Sequence, residues 1–162
     1  MRRLILSGLG SGYLRPAPGT WGSLAALPVA WLLHMLGGPV LLIAAILVAA
    51  AVGVPLIRAE TAGGEEDPGW IVLDEWAGQW IALVPVSVGA WQVGVDVLAL
   101  WPGIVAAFLL FRLFDVRKPW LVGRADARGD ARGVMEDDLW AGLFAAVVVV
   151  ILGVLWHVWL LA

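Results

Sequence analysis

Two long apolar runs restrict the fold of this 162-residue chain more than any other feature. Pro39–Ile57 spans 19 residues and Leu139–Ala162 spans 24, and neither contains Asp, Glu, Lys or Arg. A helix rises about 1.5 Å per residue, so about 20 apolar residues can cross a hydrocarbon core about 30 Å thick. We therefore predict that both runs are transmembrane helices.

Three shorter apolar runs are Leu24–Leu36, Trp76–Trp91 and Val97–Phe111. The first ends at Gly37-Gly38-Pro39, which is typical of a turn, and a short polar loop over 92–96 separates the other two. Runs of this length are compatible with tilted spans, re-entrant segments or buried helices. We predict two helical hairpins, Leu24–Ile57 and Trp76–Phe111, followed by the span over Leu139–Ala162.

The composition supports this interpretation, because 62% of the residues are hydrophobic and 14% are charged. Typical soluble domains are about 45–50% apolar and about 25% charged. We predict an all-α fold, a compact multi-helix membrane bundle in which residues 1–162 form a single domain. The absence of cysteine excludes disulfides, thiolate metal sites and a cysteine nucleophile. A net charge of -3 gives no indication of a nucleic-acid partner.

A hairpin returns the chain to the side of the membrane from which it left. Segments 1–23, 58–75 and 112–138 should therefore lie on one side, with the functional loops on that face of the bundle. These segments contain all 10 Lys and Arg residues, and Asp96 is the one acidic residue of 13 that lies elsewhere. Because positively charged loops stay in the cytoplasm, we predict that this face is cytoplasmic.

Acidic residues border the apolar runs on this face. They are Asp74, Glu75, Asp115, Glu136, Asp137 and Asp138. Ionisable groups at the mouth of a membrane bundle are functional candidates, and clusters of carboxylate oxygens suit a hard cation such as Mg²⁺. Taken singly, Asp74 and Asp138 are equally compatible with helix capping. Glu60 and Glu65–Asp67 fit a solvated loop better than a site.

The N-terminal segment combines glycines with hydroxyl groups and a positive charge. Gly8, Gly10 and Gly12 precede Arg15, and the hydroxyls are those of Ser11, Thr20 and Ser23. Glycine-rich turns can present backbone N–H groups to a phosphate, to which an arginine adds charge. The segment fits neither the P-loop nor the dinucleotide-binding pattern. A simple loop followed by a helix cap at Thr20 or Ser23 remains an alternative.

Four segments resemble the signature blocks of the phosphatidylglycerophosphatase A family. They are Pro16–Ser23, Asp67–Gly78, Phe111–Pro119 and Val134–Gly142. They occur in the family order and extend over nearly the whole chain. One stretch departs from the family, which has a glycine-rich approach to its final acidic pair where this chain reads Arg-Gly-Asp-Ala-Arg-Gly over 128–133.

The resemblance implies a Mg²⁺-dependent phosphatase that converts phosphatidylglycerol phosphate to phosphatidylglycerol in phospholipid biosynthesis. It also implies a multi-pass protein of the bacterial inner membrane, with its active site facing the cytoplasm and a phospholipid as its substrate. The metal ligands would be Asp74, Glu75, Asp137 and Asp138. The catalytic residues would be Asp74, Glu75, Asp115 and Asp138, with Asp115 as a further ligand or general base. The phosphate-binding residues would be Arg15, Thr20, Ser23, Arg112 and Lys118.

Two alternatives remain open at this point. One is a phosphatase of another lipid phosphate, such as phosphatidate, because the sequence does not show which head group fits. The other is a non-enzymatic membrane protein, such as a small cation transporter. A transporter should carry carboxylates near the middle of its spans, whereas here the long apolar runs contain none.

Overall fold

The computed structural model describes residues 1–64 and 68–161, and the described part of the chain is helical without strands. Two single 3-10 turns occur at Ser11–Tyr13 and Val97–Leu100. The helices are α1 (Arg2–Leu6), α2 (Pro18–Thr61), α3 (Leu73–Val93), α4 (Trp101–Arg117), α5 (Leu121–Asp126) and α6 (Ala131–Leu161). The predicted all-α bundle is confirmed.

Helix α2 is broken in the middle and forms the first hairpin. Gly37 and Gly38 leave the helical conformation, and Gly38 adopts a φ of 61°, which favours glycine. The arms 18–36 and 39–61 then run back along each other: Gly22 packs on Val72, and Gly53 packs on the neighbouring Leu73. Gly38 contacts Trp91 at the opposite end of the bundle. The predicted turn and hairpin are therefore confirmed.

Helices α3 and α4 form the second hairpin. Gly94 ends α3 with a φ of 68°, and the Asp96 side chain accepts a hydrogen bond of 2.8 Å from Leu98 N to start the following turn. Farther along, the Phe111 ring of α4 packs against Gly78 of α3. Helix α3 lies at the centre of the bundle, because α2, α4 and α6 all pack against it.

Within the described residues, three segments are long and apolar enough to cross a membrane: Pro18–Thr61, Val97–Arg117 and Ala131–Trp159. The first includes the predicted span Pro39–Ile57, and the third includes Leu139–Trp159 of the predicted span Leu139–Ala162. Large side chains such as Leu47, Val147 and Leu155 are exposed on the outer surface of these helices. Because so much exposed apolar surface is unusual for a soluble monomer, the fold is that of a membrane protein.

The predicted helix ends were wrong in one systematic way. Helix α3 begins at Leu73 rather than Trp76, α4 continues past Phe111 to Arg117, and α6 begins at Ala131 rather than Leu139. Within the part of the chain that the structure describes, the charged residues of segments 1–23, 58–75 and 112–138 therefore lie mostly on helices and not in loops. Their side chains face one another across helix interfaces, so a change from apolar to charged composition did not mark the helix ends.

Candidate active site

Three carboxylates from two helices meet at one end of the bundle. Asp74 and Glu75 lie in the first turn of α3, and Asp138 lies on α6. One oxygen of each lies within 4.8 Å of the others. Asp74 and Asp138 are 5% and 4% exposed, and Glu75 Oε2 and Asp138 Oδ1 are buried without a hydrogen-bond partner. Buried carboxylate oxygens are costly when unpaired, so this group, the acidic triad, is a candidate cation site.

The close crossing of α3 and α6 brings the triad together. Gly78 and Gly142 each follow an aspartate of the triad by four residues, one helical turn. A Cβ on Gly78 would lie 2.5 Å from the backbone oxygen of Asp138, and one on Gly142 would collide with the backbone of Gly78. The sequence analysis missed this crossing, although the pattern Asp-x-Trp-Ala-Gly occurs at both 74–78 and 138–142 and could have indicated it.

Burial changes the acid strength of the triad. The pKa of Glu75 is raised to about 8, mainly by burial; a hydrogen bond with the Asp74 side chain lowers it, and the charges of Asp138 and Asp115 raise it. The Glu75 carboxyl is therefore protonated at neutral pH unless a cation compensates its charge. A bound divalent cation would offset the energetic cost of ionising this buried carboxyl.

Arg112 places a positive charge beside the triad. Its Nη1 lies 2.6 Å from Asp115 Oδ2, one turn along α4, and 3.4 Å from Ser23 Oγ. Gly19 lies against both groups: a Cβ there would be 2.5 Å from Glu75 Oε1 and 3.2 Å from Arg112 Nη1. The structure thus brings together three predicted residues, Ser23, Arg112 and Asp115, with the triad. Gly19 was not predicted.

Lys118 and Asp137 form a second group next to the triad. Lys118 Nζ lies 3.2 Å from Asp137 Oδ2 and also contacts Asp126. Burial lowers the pKa of Lys118, but the hydrogen bond with Asp126 and the charge of Asp137 outweigh it and leave the pKa above its ordinary value. The structure therefore pairs Asp137 with a lysine and does not place it among the three clustered ligands. Its role as a metal ligand stays a prediction.

The remaining phosphate candidates lie at the start of α2. Thr20 is half-buried one residue after Gly19, and Arg15 is exposed in the segment before the helix. The alternative of a helix cap at Thr20 or Ser23 is wrong, because α2 begins at Pro18. Ser23 Oγ instead donates to Gly19 O, at 2.8 Å. Phosphate binding by Thr20 and Arg15 stays a prediction.

Capping does not explain Asp138. It is the eighth residue of α6, and the start of that helix is held by Asp130, whose Oδ1 accepts from Gly133 N at 2.7 Å. Asp74 is the second residue of α3, and its Oδ1 accepts from the backbone N–H of Glu75 at 3.1 Å. Local backbone bonding therefore accounts for one oxygen of Asp74.

The interpretation of Glu60 as part of a solvated loop is wrong. Glu60 lies within α2, its side chain is 6% exposed, and it receives hydrogen bonds of 2.8 Å from Arg2 and 2.6 Å from Arg3. These bonds tie α1 to the second arm of α2. The interpretation of Glu65–Asp67 as a loop lies outside the described residues.

Two further features escaped the sequence analysis. Gln79 of α3 is fully buried, and neither its amide oxygen nor its amide nitrogen has a hydrogen-bond partner. An apolar cavity of about 410 Å³ lies beside α3, lined by residues 8–11 with Leu14, Ala25, Val29 and Trp76. Gln79 was missed because it lies within the apolar run Trp76–Trp91. A polar residue four positions after Glu75 was the available signal.

Comparison with known proteins supports the resemblance. The family model described as phosphatidylglycerophosphatase A matches residues 4–153. A protein named phosphatidylglycerophosphatase A from Haemophilus influenzae is 40% identical over 149 residues, which cover 90% of this chain and 85% of the relative. One of the same name from Escherichia coli K12 is 33% identical over 162 residues, covering 98% and 87%.

A third relative carries a different name. A protein of Bacteroides thetaiotaomicron, named provisionally as a phosphatidylinositol-3-phosphatase, is 34% identical over 157 residues. The match covers 91% of this chain and 91% of the relative. No solved structure matches the chain significantly. The family match and the two relatives of the same name confirm the prediction of a phosphatase over the non-enzymatic alternative. The chain belongs to the phosphatidylglycerophosphatase A family.

Proposed function

We propose that this protein catalyses the Mg²⁺-dependent hydrolysis of phosphatidylglycerol phosphate to phosphatidylglycerol and phosphate, a step of phospholipid biosynthesis. The observation that carries the proposal is the acidic triad, Asp74, Glu75 and Asp138, which lies beside the Arg112 guanidinium and in which Glu75 Oε2 and Asp138 Oδ1 are buried without a hydrogen-bond partner. Family membership supports the dephosphorylation of phosphatidylglycerol phosphate. The cation requirement and the metabolic role are the further content of the proposal.

The donor atoms of the triad fit Mg²⁺. All are carboxylate oxygens, which hard divalent cations prefer, and no thiolate or imidazole belongs to the cluster. Oxygen ligands on opposite sides of one ion are about 4 Å apart for Mg²⁺ and about 5 Å for Ca²⁺, so carboxylates within 4.8 Å need little movement to share an ion. Asp137 would join as a ligand only by giving up its contact with Lys118.

When bound, Mg²⁺ would supply Lewis-acid stabilisation of the phosphate oxygens and a water of lowered pKa. Arg112 would donate hydrogen bonds to the phosphomonoester. Ser23 Oγ and Asp115 hold the Arg112 guanidinium in place for this contact. Asp115 would accept a proton from the attacking water, and Lys118 would add positive charge at the rim.

We favour direct attack of water over a covalent aspartyl-phosphate. The Asp-x-Asp-x-Thr loop that is typical of aspartyl-phosphate chemistry is absent from the sequence. The aspartates of the triad are also surrounded by other carboxylates, which suits cation binding better than nucleophilic attack on a phosphate dianion. When the protein turns over a lipid substrate that carries a radiolabelled phosphate and the reaction is quenched with acid, no labelled protein should be recovered.

The site is arranged for an amphiphilic substrate. Trp76 follows Glu75 in the chain, and its indole lines the apolar cavity that also includes Ala25 and Val29 of α2. Leu9 and Leu14 at the same cavity are 67% and 50% exposed, which suits contact with lipid. A phospholipid could therefore present its phosphate to the triad while its acyl chains remain in an apolar environment.

We place the protein in the bacterial inner membrane with the acidic triad towards the cytoplasm. The support is the positive-inside rule, because all 10 Lys and Arg residues lie in segments at the triad end of the bundle. The chain lacks cysteine, so single-cysteine variants report topology cleanly. In intact inverted vesicles an impermeant thiol reagent should label Ala62→Cys and not Val95→Cys. The opposite pattern would reverse the proposed orientation.

Purified protein in detergent tests the activity directly. Phosphate release from phosphatidylglycerol phosphate should require Mg²⁺, stop in EDTA and return when Mg²⁺ is restored in excess. Activity that survives EDTA would contradict the cation mechanism. Absence of activity at every Mg²⁺ concentration, with a protein that unfolds cooperatively, would contradict the proposed reaction.

A second candidate is hydrolysis of a different lipid phosphate. The relative from Bacteroides thetaiotaomicron favours this alternative, because its name refers to a phosphoinositide at a similar level of identity. The same assay with phosphatidylinositol 3-phosphate and phosphatidate distinguishes the candidates. We expect the highest kcat/KM for phosphatidylglycerol phosphate, and a higher value for either competitor would replace the proposed substrate.

A further inference from the structure

Gln79 is a buried polar side chain that the mechanism above does not use. It lies in the second turn of α3, is 0% exposed, and its Oε1 and Nε2 both lack hydrogen-bond partners. A buried amide that is left unpaired destabilises the folded protein. Because buried amides in folded proteins are nearly always hydrogen-bonded, a polar species is expected to contact Gln79 in the functional protein.

The helix geometry directs this side chain towards the acidic triad. Gln79 follows Glu75 by four residues in the same helix, so the two lie on one face with their Cβ atoms about 5–6 Å apart. Side chains on a helix lean towards its N-terminus, which directs Gln79 to the turn that carries Glu75. Glu75 Oε2 on that turn is likewise buried without a partner.

Buried atoms without partners therefore lie on successive turns of α3, at Gln79 and Glu75, and on Asp138 of α6, whose carboxylate is clustered with that of Glu75. The two carboxylate oxygens accept hydrogen bonds or bind a cation, and the amide offers both an acceptor and a donor. A hydrated divalent cation satisfies all of them, because the ion binds carboxylates while its waters bond to the amide.

We propose that Gln79 is the neutral inner group of the cation site and binds the Mg²⁺ ion or one of its waters through Oε1. The inference rests on the proposed function for the identity of the ion. Gln79 is thus a positioning residue, which fixes the ion at the level of Glu75 and Asp138. An uncharged oxygen at this place adds a ligand without adding a fourth buried charge to the triad.

Thermal unfolding of the full chain in detergent, with EDTA and across a Mg²⁺ titration, tests the inference without reference to activity. Gln79→Met removes the amide and keeps the shape of the side chain. In EDTA its unfolding temperature should equal or exceed that of the wild type, since an unpaired amide is lost. The Mg²⁺ concentration for half-maximal stabilisation should rise about 10- to 100-fold, as for other groups that support a bound metal.

Two further variants complete the experiment. Gln92→Met makes the same change at an exposed position at the far end of α3 and should match the wild type at every Mg²⁺ concentration. Gln79→Glu keeps an oxygen at the position, so it should lower the unfolding temperature in EDTA through added carboxylate repulsion. It should also retain the wild-type Mg²⁺ requirement or reduce it.

The outcomes separate this inference from the proposed function. A wild-type protein that Mg²⁺ does not stabilise would overturn both. A wild type that is stabilised, with Gln79→Met stabilised at the same concentrations, would overturn only the role of Gln79. Loss of stability in EDTA for Gln79→Met would show that the amide is already paired within the protein, which also overturns the inference.

Discussion

Two groups of carboxylates at the same end of the bundle differ in the charged side chains that face them. Asp126, Asp130, Glu136 and Asp137 each lie within ion-pair distance of Lys118 or Arg128. In the acidic triad, Glu75 Oε2 and Asp138 Oδ1 are buried without a partner. The two groups adjoin at Asp137 and Asp138, consecutive residues of α6.

The difference separates two physical roles. A paired carboxylate is already compensated, so it fixes local structure and requires nothing else. An unpaired buried carboxylate remains costly until a proton or a cation arrives, and burial raises the pKa of Glu75 to about 8 for this reason. We therefore expect changes in the triad to affect the reaction strongly and changes in the paired group to have small effects.

The largest effect is expected for Asp138→Asn. The substitution keeps the shape of the side chain and removes the charge needed to bind the cation, so phosphate release at saturating lipid should fall at least about 100-fold. Initial rates across a wide Mg²⁺ range would measure the loss. Glu136→Gln, two residues earlier in the paired group, is the matched control. Comparable losses in both variants would abolish the distinction between the two groups.

A smaller effect is expected for Arg112→Lys. The charge is retained, but the forked guanidinium that contacts Asp115 and Ser23 is lost, together with two-point binding of the phosphate. Charged hydrogen bonds contribute about 1.5–3 kcal/mol, so kcat/KM should fall about 10- to 100-fold. The same substitution at Arg132, which is exposed, is the control. A wild-type kcat/KM for Arg112→Lys would remove Arg112 from the phosphate site.

The pH dependence of the Mg²⁺ requirement gives a third measure. The pKa of Glu75 lies at about 8, so below pH 8 the metal-free site holds a proton that the cation must displace. The half-activating Mg²⁺ concentration should rise about tenfold for each unit that the pH falls below 8, and should level off above pH 8. A requirement that stays constant between pH 6 and 8 would mean that Glu75 is already ionised in the metal-free protein.

In the metal-free protein, the raised pKa of Glu75 should also make the stability of the fold depend on pH. A carboxyl whose pKa is raised on folding contributes most to stability below its unfolded value of about 4.5, and this contribution disappears as the pH rises through 8. Unfolding temperatures in EDTA should therefore decline between pH 6 and 9, and excess Mg²⁺ should reduce the decline.

The apolar runs were sufficient to predict the helical bundle, because a charge-free run long enough to cross a membrane folds as a transmembrane helix in nearly all cases. They also predicted that Asp74, Glu75, Arg112 and Asp138 would lie at the same end, since hairpins return the chain. The division between Asp137 and Asp138 could not be predicted. It depends on α6 beginning at Ala131, because consecutive residues on a helix point about 100° apart.

Gln79, in contrast, could not be recognised as a functional residue from the sequence. Its importance follows from burial and from the lack of a partner, and both depend on the packing of α3 among the other helices. In the sequence it is one polar residue within the run Trp76–Trp91. The close contact of Gly78 with α6 was more accessible, because the repeated Asp-x-Trp-Ala-Gly pattern indicates two helices that approach each other through equivalent residues.

The smallest effect is expected for Arg128→Gln in the paired group. Arg128 lies 2.8 Å from Glu136 and 3.2 Å from Asp130, and its side chain and those of both partners are at least 40% exposed. Exposed ion pairs contribute about 0–1 kcal/mol, and salt screens them. The free energy of unfolding should thus change by less than about 1 kcal/mol, less in high salt, with kcat/KM and the Mg²⁺ requirement unchanged. Because Glu136 lies within one turn of Asp138, a shift in the Mg²⁺ requirement would mean that the paired group sets the charge of the triad, and the two groups would then act as one.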